Sequence, residues 1–425
     1  MEGRTPLLMH VLIVTQYFWP EDFRINGLAV GLVEKGHRVT VLTGIPNYPG
    51  GKFFPGYGVL SRRRENYRGI EILRVPLVPR GKGQGYSLFL NYLSFALFAC
   101  AVGPLLCRES YEVIFVYQLS PVTVGLPALV LKKVKGSPIL FWVQDLWPES
   151  LSATGAVSSQ YVLKIVERLV RFIYRGCDQI LVQSRGFFQP IQRMGVDLKR
   201  IHYFPNSVER FYHPVSLEND APERAELPGG FRVMFAGNIG AAQDFETILS
   251  AAEVLRSHPE IQWVIIGDGR LRAWVGEQVR ERGLTDTVHL LGRHPQESMP
   301  RYFALTDVLL VTLRKDPIFA LTIPSKVQSY LACAKPIVAA LDGEGARVVA
   351  ESGAGLATPA GDANALAEAI LEIHKLPNHE RSAMGLRGRQ YYETHFDRNR
   401  LLDSLEAWMM ELSKGSLSEA TRSGS

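Results

Sequence analysis

Cysteine is scarce in this chain. Cys100, Cys107, Cys177 and Cys333 are the only four in 425 residues, and they form no CxxC pair. That argues against a disulfide-stapled scaffold or a zinc site and for reduced thiols in a cytoplasmic protein. A His/Cys grouping and a DxD at a strand end are also missing, so no metal or other cofactor is expected; His10, His37, His289 and His294 are scattered. Charge is nearly balanced. A formal net charge of +5 suits anionic substrates or an anionic membrane face but is no nucleic-acid footprint. No secretory leader is expected either, because Met1–Pro6 lead straight into an apolar strand without a small-residue cleavage site. The loop after that strand, Gln16-Tyr17-Phe18-Trp19-Pro20-Glu21-Asp22-Phe23-Arg24, lacks the GxGxxG of a dinucleotide oxidoreductase.

What is present is an α/β rhythm, repeated. The apolar fraction of 46%, with 10% aromatics, supports large cores, and this length suits two domains of about 200 residues each. In the first half, strands are expected at Leu7–Thr15, Arg38–Thr43, Ile70–Pro76, Tyr111–Tyr117, Ile139–Trp142 and Gln179–Gln183. Helices fall at Asn26–Lys35, closed by Gly36, and at 122–134 and 160–175. In the second half, strands at Phe231–Ala236, Gln262–Ile266, Val288–Leu291, Val308–Thr312 and Pro336–Ala340 alternate with helices at 244–257, 270–283, 297–304 and 363–374. The Pro-, Glu- and Asn-rich stretch Asn206–Gly230 separates the halves. The pattern predicts two Rossmann-like, doubly wound domains facing a central cleft at the carboxyl ends of their strands.

One run has no charge at all. Tyr86–Cys107 is long enough to span a bilayer. The strands on either side belong to one sheet, however, which favours a buried helix or one lying in a membrane interface. Arg62-Arg63-Arg64, Arg68, Arg74, Arg80 and Lys82 precede it, and helix 160–175 sets Lys164, Arg168, Arg171 and Arg175 among apolar residues. A basic amphipathic helix beside an apolar one suits an anionic lipid surface; the other reading is an ordinary packed helix with solvated arginines.

Several segments can carry chemistry. Thr322–Val338 reads as loop, helix start, short helix and buried strand, with Ser325 at or beside the N-cap and Lys326 on the first turn. Such a helix start favours an anion, or else it is a capped helix with a solvated lysine. Gly237-Asn238-Ile239-Gly240 and Gly267-Asp268-Gly269 are small-residue turns at strand ends, where backbone can approach a pyrophosphate. Asp145 follows a buried strand and can position an acceptor hydroxyl or take its proton, with Trp147 as a wall for a sugar ring; alternatively Asp145 caps a helix and Trp147 is core. Arg24 can face phosphate or pair with Glu21 or Asp22. Pro46-Asn47-Tyr48-Pro49 is a ligand loop or a stiff turn.

Taken together these segments resemble a family. Gly36-His37-Arg38-Val39-Thr40-Val41-Leu42-Thr43 resembles the GHxVTVLT signature of family-4 retaining glycosyltransferases with the GT-B fold. Phe204-Pro205-Asn206-Ser207-Val208 is similar to their interdomain segment, and Ile265–Gly269 and Leu331–Val338 fit as well. Tyr17-Phe18-Trp19-Pro20-Glu21, Pro46–Pro49, Asp145-Leu146-Trp147-Pro148-Glu149-Ser150, Ala236–Gly240 and Pro324-Ser325-Lys326 resemble the branch that includes fucosamine transferases of capsule, O-antigen and colanic-type polysaccharide assembly. The resemblance implies a UDP-sugar donor and a polyprenyl-diphosphate-linked or other glycan acceptor. It also implies metal-independent transfer with retention, at the inner face of the cell membrane. Donor contacts then fall on Gly237, Asn238, Gly240, Gln243, Gly267, Arg293, His294, Arg314, Lys315, Ser325 and Ser329, and acceptor contacts on Gln16, Tyr17, Arg24, Asn47, Tyr48 and Trp147. Asp145 and Lys326 take the catalytic roles.

The chain departs from that pattern. The family's glutamate pair, eight residues apart, falls on Leu321 and Ser329, and its Arg/Lys clamp on Asn238 and Gln243. Lys326, Arg314 and Lys315 are the remaining candidates to neutralise a leaving diphosphate. The expected domains are 1–207 with 390–413, the acceptor and membrane side, and 208–389, the donor side. An amphipathic helix from Tyr391 to Leu412 crosses back to the first domain, and 414–425 is a disordered tail. Two rivals remain: a GT-B-fold UDP-sugar epimerase, and a non-catalytic partner of a polysaccharide assembly complex.

Overall fold

The computed structural model describes residues 8–83, 85–153 and 157–423, the side chains of 416–423 excepted. Met1–Leu7, with the start of the expected first strand, and Gly424–Ser425 lie outside them. The chain divides into two compact units. One runs to Gln183 and adds Phe187–Phe204 and the chain from Asn399; the other is Ser184–Gly186 with Pro205–Arg398.

The first unit is built on eight strands: β1 (His10–Val14), β2 (Arg38–Gly44), β3 (Arg64–Tyr67), β4 (Ile70–Val75), β5 (Val113–Gln118), β6 (Ile139–Val143), β7 (Gln179–Val182) and β8 (Ile201–Tyr203). Their order is β3-β4-β2-β1-β5-β6-β7-β8, parallel except for β3 against β4. Runs such as Val-Ile-Phe-Val-Tyr-Gln in β5 are buried at every position, because helices cover both faces of a parallel sheet. Short polar β3 and β8 sit at the two edges and carry no apolar pattern that a sequence reading could find. Helix α1 (Arg24–Glu34) links β1 to β2 and stops at Gly36, whose φ of +94° is open to glycine.

Helix α2 (Gly85–Leu106) is the expected apolar helix, and it is long and apolar enough to cross a membrane by length and composition. Its place is a crossover between the parallel strands β4 and β5. Asn91, Phe95, Ala96, Ala99 and Gly103 are buried on one side. Tyr86, Phe89, Leu93, Leu97, Phe98 and Leu105 are exposed on the other. The segment is neither wholly buried nor lipid-facing all round. A following helix, α3 (Gly125–Lys135), begins as a 3-10 turn at Val122–Val124.

The second unit has six parallel strands: β9 (Phe231–Ala236), β10 (Ile261–Ile266), β11 (Val288–Gly292), β12 (Val308–Thr312), β13 (Ile337–Ala340) and β14 (Gly355–Thr358), in the order β11-β10-β9-β12-β13-β14. Alternate residues of β9 enter two separate cores, Met234 and Ala236 on one face, Val233 and Phe235 on the other. β14 and the helices Glu344–Ser352 and Asn378–His395 were not anticipated from the sequence.

The single helix expected at Tyr391–Leu412 is two helices, Asn378–His395 and Arg398–Ser423. They part where Phe396, fully buried, packs into the second unit's core, while Leu402, Leu405 and Met409 pack into the first unit's. Trp408 stands edge-on to Phe204 at 5.9 Å, and Glu406 bonds to Lys35 at 2.6 Å and His37 at 3.1 Å. The C-terminal helix therefore returns to the first unit. It stays helical to Ser423, across most of the stretch expected to be a disordered tail.

Candidate functional site

In the second unit, successive parallel strands end on one edge, at Gly237, Gly267, Gly292-Arg293 and Leu313-Arg314. Gly237 and Gly267 have φ of +144° and +145°. A Cβ on Gly267 would stand 1.8 Å from the Gly237 carbonyl oxygen, and one on Gly237 2.6 Å from Lys326 Cε. Only glycine fits there, and the bare backbone lets another group come close. Lys326 is the second residue of the helix Ser325–Ala332, behind Pro324 as N-cap. Its Nζ donates to Gln243 Oε1 at 2.5 Å and lies 4.7 Å over the Phe235 ring. No carboxylate pairs with it among the described residues, and burial pulls its pKa down to about 8. The Gln243 turn is held in place from β12: Thr312 Oγ1 donates to the Gln243 carbonyl, and the Arg314 N–H donates to the Ala242 carbonyl at 2.9 Å. A half-buried ammonium, the amides of a helix's first turn and glycine backbone together suit an anion.

In the first unit, the strand ends carry a buried polar network. Gln16 Nε2 donates to Asn91 Oδ1 (2.7 Å), and Asn91 Nδ2 donates to Asn47 Oδ1 (3.3 Å) and the Val78 carbonyl (2.7 Å). Glu21 Oε1 accepts the N–H groups of Asn47 and Tyr48, each at 2.7 Å, yet burial raises its pKa to about 7. Above this layer, Arg80 donates to Tyr17 OH at 2.9 Å and stacks 5.1 Å over the Tyr48 ring. Further along the edge, Asp145 accepts from Ser150 Oγ. Burial nevertheless raises its pKa, which suits a group that exchanges a proton. Among the described residues no three His, Cys, Asp or Glu side chains converge as metal ligands.

Comparison with known proteins places this geometry. Residues 23–207 match the glycosyl transferase 4-like domain, and residues 230–375 match glycosyl transferases group 1. Each half of the chain thus matches a glycosyltransferase domain, and the fold is GT-B. A protein of Pseudomonas aeruginosa named as glycosyltransferase WbjE is 31% identical over 58% of this chain and 62% of its own length, so the chain spans less than two thirds of that relative. Another, of Escherichia coli K12, is named for colanic acid biosynthesis, WcaI; it is 24% identical over 76% of this chain and 81% of its own. Two solved structures share the fold. HepE of Anabaena, in complex with UDP and glucose, has a TM-score of 0.67 at 14% identity, covering 95% of this chain and 99% of that one. The trehalose 6-phosphate synthase of Burkholderia multivorans has a TM-score of 0.72 at 16% identity, covering 97% and 98%.

The residues singled out in the sequence divide into groups. Gly237, Asn238, Gly240, Gln243, Gly267 and Lys326 meet at one place: a Cβ on Gly240 would stand 2.6 Å from Asn238 Nδ2. Arg314 and Lys315 follow β12 as exposed side chains, Arg314 4.0 Å from Asp316. Arg293 is exposed, while His294 Nδ1 faces Tyr302 OH at 2.9 Å. Ser325 is exposed; Ser329 is buried and donates back to the Ser325 carbonyl at 3.0 Å. In the first unit, Gln16 and Asn47 are buried supports, Tyr17 and Tyr48 frame Arg80, and Trp147 is 8% exposed, leaving little ring for a sugar. Arg24 opens α1 and has no ion pair among the described residues, neither with Glu21 nor with Asp22. Sequence reasoning missed the parts played by Arg80, Asn91 and Glu21. A lone asparagine inside the uncharged run of α2 was the available signal.

Proposed function

We propose that the chain is a retaining glycosyltransferase of the fucosamine-transferase branch. It moves an N-acetylated amino or deoxy sugar from a UDP-sugar to a polyprenyl-diphosphate-linked or other glycan acceptor in cell-surface polysaccharide assembly. The observation that carries this is Lys326: a half-buried ammonium with no carboxylate partner among the described residues, over bare glycine backbone, at a helix start. A leaving nucleoside diphosphate supplies the missing counter-charge. Its β-phosphate would take the Lys326 ammonium and the first-turn amides, with Arg314 and Lys315 nearby in sequence to add charge from the β12 loop. Stabilising the departing diphosphate is the main electrostatic task of such a transfer, and fixed positive groups carry it in place of a metal. Asp145, with its raised pKa, orients the acceptor hydroxyl and receives its proton as the hydroxyl attacks the face the diphosphate leaves. The names of the WcaI and WbjE relatives and the UDP bound to HepE support the donor class and the setting. The exposed apolar face of α2 and the basic helix Gln160–Gly176 support work at the inner membrane face.

Calorimetric titration with UDP, against competing nucleotides, tests this reading. Selective UDP binding that Lys326→Ala abolishes supports it. A folded protein that binds no nucleotide sinks it and favours a non-catalytic partner of an assembly complex, a rival that the leucine at 321 and the internally bonded Ser329 keep alive.

A further inference from the structure

Resting on that reading, we propose that Arg80 binds the phosphate end of a lipid-linked acceptor, and that the exposed stripe of α2 beside it takes the acceptor's apolar chain. Arg80 is held from three sides. Its N–H donates to Asn47 Oδ1 at 3.0 Å, Nη1 donates to Tyr17 OH at 2.9 Å, and the guanidinium plane stacks over Tyr48. Its charge is not answered: no salt bridge to it exists among the described residues. The nearby Glu21 carboxyl is used on the Asn47 and Tyr48 amides. The side chain is only partly buried, so a ligand can reach it. A guanidinium fork with one hydrogen bond among the described residues, fixed by stacking, matches the paired oxygens of a phosphate or diphosphate better than a single hydroxyl.

The neighbourhood supplies the second half of the ligand. Val78 is tied to α2 in both directions, its N–H to Ser94 Oγ (2.9 Å) and its carbonyl to Asn91 Nδ2 (2.7 Å). Gly81 abuts Ser87, since a Cβ there would stand 3.4 Å from that side chain. Arg80 therefore lies along the first turns of α2. From there Tyr86 (74% exposed), Phe89 (58%), Leu93 (38%) and Leu97 (61%) continue as a stripe spaced three and four residues apart. A water-soluble anion has no use for such a stripe, and an apolar chain alone has no use for a fixed cation. An amphiphile with phosphate at one end uses both. Tyr92, on the same helix, lies 6.4 Å from the Trp147 ring, which joins this region to the loop of Asp145.

Calorimetry on the full-length protein with farnesyl diphosphate tests the proposal, in a Lys326→Ala background that silences the other diphosphate candidate. Binding is expected there, weakened at least tenfold by Arg80→Gln, and weakened less by Arg80→Lys, which keeps the charge and loses the fork. Inorganic pyrophosphate should bind at least tenfold more weakly than the prenyl compound. With Lys326 intact, Arg80→Gln should leave UDP affinity unchanged. Undiminished farnesyl diphosphate binding in folded Arg80→Gln overturns the proposal. So does a defect confined to phosphatidylglycerol vesicles, which would assign Arg80 to a phospholipid headgroup. If Arg80→Gln does not fold, Arg80→Lys decides, and no weakening there overturns it. Failure of UDP to bind the unsubstituted protein would instead remove the donor reading, so the two failures are distinct.

Discussion

Lys326 and Gln243 lie 83 residues apart in sequence and meet ammonium to amide oxygen at 2.5 Å. An amide answers a hydrogen-bond donor but not a charge. The lysine accordingly keeps a pKa near 8 rather than gaining the upward shift an ion pair gives. The same helix start is poised for an anion that is not part of the chain.

Removing that lysine should therefore separate stability from binding. A displacement from 10.5 to about 8 corresponds to roughly 3 kcal/mol of unfavourable burial at most, at 1.36 kcal/mol per pKa unit. Lys326→Met keeps the packing over Phe235 and drops the charge. It should raise the unfolding free energy of the unliganded protein by about 1–2 kcal/mol once the stranded Gln243 amide is counted. UDP affinity should fall at least about tenfold, since a charge-assisted contact is worth about 1.5–3 kcal/mol. Urea unfolding and calorimetry on one preparation read both effects, and a destabilised variant would contradict the argument.

The same group sets a pH dependence. Its folded-state pKa lies below the ordinary lysine value, so the ammonium is charged below about pH 8 and lost above it. UDP affinity should be steady between about pH 7 and 7.5, then drop by up to tenfold per unit above 8. Near pH 8.5 each UDP bound should take up close to one proton, read by calorimetry in two buffers of different ionisation enthalpy. The unliganded protein's stability should move the opposite way and rise from pH 8 towards 10.5, because only the unfolded chain still holds that proton. Affinity that is flat to pH 9.5 would show that Lys326 does not touch the phosphate.

How much of this was legible depended on where the signal lay. The parallel strands β1, β5, β6 and β12 announce themselves as largely apolar runs, since helices cover both faces. β3, β8 and β14, as Arg-Glu-Asn-Tyr, Ile-His-Tyr and Gly-Leu-Ala-Thr, sit at sheet edges where burial demands no pattern. The break at Phe396 is invisible in a helical sequence, because it arises from which core that ring enters. In the second unit, glycines at strand ends and one lysine on a helix start could be read directly, since backbone approach and charge leave local marks. The first unit could not be read so. Gln16 and Asn47 turned out to be buried supports because Asn91, on a helix forty-four residues beyond Asn47, reaches back to hold them.

Glu21 gives a separate test of that support. Its burial raises the folded pKa to about 7 from an ordinary 4.5, so the folded state holds the proton longer than the unfolded one. Stability contributed by this site is then full below about pH 4.5 and lost as pH rises through 7. Glu21→Gln keeps an oxygen for the Asn47 and Tyr48 amides and should flatten the pH dependence of unfolding between 5 and 7.5. Glu21→Ala strands the Asn47 and Tyr48 N–H groups and should cost about 2–4 kcal/mol near pH 5, and less towards pH 7.5 as the parent's own contribution fades. Equal effects of the two substitutions at pH 7.5 would mean the carboxylate's oxygens are not what the loop depends on.

The two faces of α2 should respond differently to the same kind of change. Phe95 is fully buried against the sheet, and Phe95→Ala should destabilise the first unit by about 3–5 kcal/mol through lost burial and a cavity. Phe89 and Leu97 are 58% and 61% exposed, so Phe89→Ser with Leu97→Ser should change the unfolding free energy by less than about 1 kcal/mol. Sedimentation with vesicles of phosphatidylglycerol and phosphatidylethanolamine should show that the double serine variant binds several-fold more weakly than the parent. Added salt should weaken both further, because the basic face of the Gln160–Gly176 helix contributes a screened attraction. A double variant that keeps its vesicle binding would leave the arginines and lysines alone responsible for contact with lipid. One that loses stability as steeply as Phe95→Ala would show that the outer face is covered in solution.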